Sequence, residues 1–135
     1  MSRLPRALLI AAYAVLWLAA TGRSSVQLAT KASEAPLPYA LSAVAALLYG
    51  VIAIALWRGG PRWRRVAVVA VIVELVGVLV VGTWGLIDPS AWPDQTVWTD
   101  YGIGYGWAPL ILPSLALVSL VRALRAERAT ARSAS

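Results

Sequence analysis

Between Arg65 and Asp88 the chain reads VAVVAVIVELVGVLVVGTWGLI, and the only formal charge in that run is Glu74. At ~1.5 Å per residue, a helix of this length crosses the ~30 Å hydrocarbon layer of a bilayer. With no water available there, the backbone must satisfy its own hydrogen bonds, so the segment is expected to be a transmembrane α-helix. A carboxylic acid in the middle of such a helix is costly, about 2.5 kcal/mol or more on insertion scales, and it marks a candidate site.

Three more apolar segments belong beside this one: Leu4–Gly22, Leu37–Trp57, and a fourth from Trp107 or Ala108 to about Val121. The 135 residues are 60% hydrophobic and 13% charged. A soluble domain this small cannot hide so much apolar surface, so lipid has to cover part of it. The expected fold is all-α: a single antiparallel four-helix bundle in the membrane, with helices near 4–22, 37–57, 66–87 and 107–124 and a tail at 125–135. The start of the chain, Arg3 and Arg6 followed by an apolar run and LAATG, also matches a secretory signal peptide. The run is long for a signal and holds Tyr13 and Trp17, which suit a retained helix.

The connections carry their own signals. RGGPRWRR (58–65) breaks the helix at Gly59, Gly60 and Pro61, and is expected to lie at headgroup level. There Arg58, Arg62, Arg64 and Arg65 would meet lipid phosphates, with Trp57 and Trp63 in the interface. Ten of the twelve basic residues sit at the two termini and in this hairpin; Arg23 and Lys31 alone lie in the other two connections. By the positive-inside rule, both termini and the hairpin should be cytoplasmic in a multi-pass protein of the cell membrane. The net charge of +6 is explained by these clusters and not by nucleic-acid binding.

On a helical wheel at ~100° per residue, Ala67, Ala70, Gly77 and Gly85 fall within about 60° of Glu74. The acid therefore shares a face with small residues and should point into the bundle. The second helix has a comparable stripe of Ala43, Ala46, Gly50 and Ala53, a close-approach face. Counting from the cytoplasmic arginines puts Tyr13, Tyr49, Glu74 and Ser114 within about 3 Å of one another in depth. Each helix thus offers one hydrogen-bonding group to the same layer. Two readings stay open. Glu74 either locks the helices through Tyr49 or Ser114, or takes up and releases a proton, a cation or a polar ligand.

Residues Asp88–Gly106 form a nineteen-residue connection containing Trp92, Trp98, Tyr101 and Tyr105, the acids Asp88, Asp94 and Asp100, and glycines at 102, 104 and 106. It is long for a bundle and too aromatic for disorder, so an ordered cap over the outer end is expected. Aromatic faces beside carboxylates suit a cation or sugar, and equally an interfacial belt. The apolar part of the fourth helix, residues 107–121, spans only about 22 Å. Either it continues inward past Arg122, or residues 101–106 dip into the interface.

With no His and no Cys, imidazole and thiolate catalysis and the usual zinc and haem sites are excluded. No catalytic set, metal site or cofactor is expected. ELVGVLVVGT (Glu74–Thr83), followed by DPSAWPDQTVW and YGIGYGWAPLILP, resembles a group of small actinobacterial integral membrane proteins that cross four times. That resemblance implies topology and no activity. The chain is unlike the small multidrug-resistance transporters, whose essential acid lies in the first helix. The sequence points to a small non-enzymatic membrane protein, an accessory subunit of a larger complex or a homo-oligomer. The alternative is a proton- or cation-linked transporter or ligand-binding protein that uses Glu74.

Overall fold

The computed structural model describes residues 3–31, 36–88, 96 and 98–134. Within them the chain forms four long helices, α1 (Arg3–Lys31), α2 (Pro36–Arg58), α3 (Gly60–Ile87) and α4 (Ala108–Ala134), with a short 3₁₀ segment, Thr99–Tyr105, before α4. All four are long and apolar enough to cross a membrane. The protein is a small all-α integral membrane protein, a four-helix bundle. Each helix packs on the next, and α1 closes the ring sparsely against α4. Among the described residues, the diagonal pairs α1/α3 and α2/α4 make no close backbone contact. Large apolar side chains such as Leu8, Leu47, Val69 and Val118 point outward, as a lipid-facing surface requires.

The helices are longer than the apolar runs alone suggest. α1 extends to Lys31, and α4 carries the whole basic tail to Ala134 in place of the short cytoplasmic tail expected after 124. Helix propensity explains this, because RALRAERATARSA is rich in Ala and Arg and holds neither Gly nor Pro. Arg64 near the start of α3 pairs with Glu127 on that extension.

The hairpin between α2 and α3 is tighter than expected, since only Gly59 lies outside a helix. Its φ of 67° and ψ of −175° suit a residue without Cβ. The Arg6 guanidinium also lies 3.1 Å from where a Cβ would stand. Arg6 donates through Nε to the Leu56 carbonyl at 2.7 Å and through a terminal nitrogen to that of Trp57 at 2.5 Å. A cation thereby ties α1 to two carbonyls that the last turn of α2 leaves open. Pro61 falls in the first turn of α3, where its missing N–H costs nothing. Arg58 stacks on Trp57, 5.6 Å from the ring centroid.

The bundle interior is built from single stripes. On α1 these are Leu9, Tyr13, Leu16, Ala20 and Ser24; on α4, Pro109, Pro113, Ala116, Leu120 and Ala123. Spacings of three and four keep each set on one face. The small stripe of α2 does receive a neighbour. The Trp17 indole lies over Gly50, where a Cβ would come within 2.9 Å of it.

Candidate functional site

Glu74 is fully buried, on the α3 face that also buries Ala67, Ala70, Val71, Val78, Val81 and Gly82. Its partner comes from the opposite corner of the ring. The Tyr13 hydroxyl donates to Oε2 at 3.1 Å, bridging α1 and α3 where their backbones stay apart. The Tyr13 ring is wholly buried and lies 6.1 Å from that of Tyr49, tilted by 46°. Three of the four side chains expected in one layer are therefore neighbours. Oε1 of Glu74 is buried and has no hydrogen-bond partner among the described residues.

Ser114 corrects the expectation. It is exposed, and its hydroxyl bonds back to the Leu110 carbonyl at 3.0 Å. Counting residues carries no information on the direction in which a side chain points. Ser114 lies off the stripe Pro109–Pro113–Ala116–Leu120 that α4 turns inward. The bond itself is the usual local escape of a serine on a helix facing lipid.

The connection before α4 does more than cap. The Trp98 ring lies against Gly77, where a Cβ would stand 2.7 Å from Cη2 and 2.8 Å from Cζ3, and Tyr101 lies against Gly82. At ~100° per residue these glycines are about 140° apart around α3, with Glu74, Val78 and Val81 on the arc between them. Residues 98–101 thus cross the inward face of α3, and Trp98, only 3% exposed, sits one helical turn from Glu74. The described part of the connection is inserted into the bundle instead of lying over its end. Of the two outcomes open for the short apolar run of α4, the helix continues past Arg122 to Ala134, and Gly102 packs on Pro109 where it begins.

Local chemistry holds this insertion. Thr96 Oγ1 accepts from the Trp98 N–H at 3.0 Å, and Thr99 Oγ1 accepts from the Thr96 N–H at 2.7 Å. The Tyr101 and Thr83 hydroxyls share a hydrogen bond of 2.9 Å. Asp100 (φ 48°) and Tyr101 (φ 59°) take left-handed backbone, followed by Gly102 at φ 87°. Two such residues without glycine's freedom are uncommon and persist only where packing enforces them. Asp100 is half-buried and Asp88 exposed, closing α3 as its C-cap. Trp92, Asp94 and the side chain of Tyr105 lie outside the described residues.

Chemically the site is one carboxyl, one phenol donor, a second phenol beside it and an indole close by. Such a set can hold a proton or a small cation; among the described residues no group of three metal-binding side chains forms. Trp98 was legible only as part of an aromatic composition. The signal that places it is the pair Gly77 and Gly82, whose missing side chains make room for rings. No protein-family model, curated protein or solved structure matches this chain.

Proposed function

We propose that this small integral membrane protein is non-enzymatic and exchanges a proton or a small cation at Glu74. The observation that carries the reading is the buried carboxyl itself. One oxygen accepts from Tyr13, and the other has no partner among the described residues. A purely structural tie between α1 and α3 would be served as well by an amide, at no risk of burying a charge. A carboxyl adds one capacity, to gain and lose a proton or a counter-cation. In this reading the arginine-rich end, with both termini, faces the cytoplasm of a cell bounded by its plasma membrane. The ten basic residues gathered there support that orientation.

The test is uptake into sealed proteoliposomes, followed with an interior pH dye and, in parallel, with labelled sodium. The wild-type protein should move one of these species, and Glu74→Gln, folded by circular dichroism, should move neither. Equal uptake by Glu74→Gln would refute the proposal.

A second reading, an accessory subunit or homo-oligomer, is favoured by the sparse α1/α4 seam. There Pro5, Leu8, Leu9, Ala12, Leu112, Leu115 and Ser119 line an open apolar groove of about 350 Å³. Purification in mild detergent distinguishes it. A stoichiometric second protein or a discrete oligomer would support this reading, and a lone monomer would sink it.

A further inference from the structure

Ten of the twelve basic residues gather at the arginine-rich end of the bundle, and Glu127 is the only acid there. Eight of the ten are exposed, as residues that merely set orientation would be. Arg6 and Arg64 differ. Both are half-buried, and both line one small cavity together with Ala55, Leu56, Gly59 and Leu120. All four helices contribute to its wall. The cavity has a volume of about 40 Å³. A water needs roughly 10–15 Å³ of such space, so there is room for about three oxygen atoms.

We propose that this cavity is a binding site for a phosphate group, held between the guanidinium groups of Arg6 and Arg64. Each retains donors for it. Arg6 gives Nε and one terminal nitrogen to the Leu56 and Trp57 carbonyls, and its other terminal nitrogen makes no hydrogen bond among the described residues. Arg64 meets Glu127 through one terminal nitrogen only. The carbonyls are neutral and Glu127 cancels a single charge, so one of the two cations stays uncompensated. Beside the cavity α3 begins at Gly59 with no side-chain cap and no acid in its first turn, although a helix start favours negative charge. Like charges gathered on one small cavity repel, and an anion between them relieves that repulsion. Guanidinium forks suit phosphate oxygens in particular. The site is separate from Glu74, since Arg6 lies seven residues, about 10 Å of helix, from Tyr13. The phosphate comes either from solution or from the headgroup of an anionic lipid.

The test titrates inorganic phosphate, and separately short-chain phosphatidic acid, into the whole protein in a phosphate-free maltoside detergent. Calorimetry reads the binding and circular dichroism the folding. At least one of the two should bind saturably, and whichever binds names the source. Arg64→Gln removes a charged hydrogen-bonding partner and should weaken that binding by about tenfold or more. Glu127→Gln removes the competing carboxylate and should tighten it severalfold. Both variants break the same ion pair, so a pair that serves only the fold would move both in one direction. Ala55→Val fills the cavity with a branched side chain, keeps every charge, and should weaken binding as strongly as Arg64→Gln. No saturable binding of either probe would overturn the proposal. So would Arg64→Gln and Glu127→Gln shifting the affinity the same way. A folded Ala55→Val that binds like the wild type would also overturn it, by placing the anion on the exposed arginines instead.

Discussion

Replacing Gly77 by alanine tests whether the Trp98 ring really occupies the interior beside Glu74. The added Cβ would stand 2.7 Å from Cη2 and 2.8 Å from Cζ3 of Trp98. Carbon atoms sit comfortably at about 3.5 Å, so the ring must retreat by roughly 0.8 Å. It cannot do so freely, because it is only 3% exposed and its backbone N–H is tied to Thr96. Overpacking of this kind costs about 1–3 kcal/mol. Once Trp98 is alanine the clash disappears, and Gly77→Ala should become favourable by up to ~1 kcal/mol through helix propensity. The two substitutions should therefore couple by about 2 kcal/mol or more. Unfolding of wild type, both single variants and the double variant in mixed micelles of increasing SDS content, followed by circular dichroism, measures that coupling. Additivity within about 0.5 kcal/mol would mean that the ring and the glycine do not touch, and the inserted segment would have to be abandoned.

Other outcomes follow from particular contacts. Tyr13→Phe removes the donor to Glu74 but leaves the ring against Tyr49; interhelical hydrogen bonds in membranes average ~0.6 kcal/mol, so the same unfolding assay should show a loss of that order. A loss above about 2 kcal/mol would mean that more than this bond depends on the hydroxyl. Arg6→Met keeps the aliphatic stem and leaves the Leu56 and Trp57 carbonyls without their cation, and should destabilise by about 1–2 kcal/mol; an unchanged unfolding midpoint would contradict the bridge between α1 and α2. Asp100→Gly relieves a left-handed residue and should stabilise the fold by roughly 0.5–1 kcal/mol, whereas a clear loss of stability would show that the backbone there is not strained. Glu127→Gln breaks a pair with Arg64 whose side chains are about a third exposed, so its effect should stay below ~1 kcal/mol and fade in high salt.

The sequence by itself determined that four helices are long and apolar enough to cross a bilayer, because hydropathy is a local sum over consecutive residues and needs no partner. It also determined that Glu74 turns inward, since a helical repeat places Ala67 and Ala70 on the same side and a charge is least costly where helices meet. Residue counting from the arginines fixed the level at which Tyr13, Tyr49 and Glu74 lie. Level is not direction, however. Only packing of one helix on another decided that Tyr13 reaches the carboxyl across the diagonal while Ser114 faces lipid. The inserted segment was likewise beyond local reading. Its position depends on space left by Gly77 and Gly82 of α3, and that space exists only once the neighbouring helices have enclosed it.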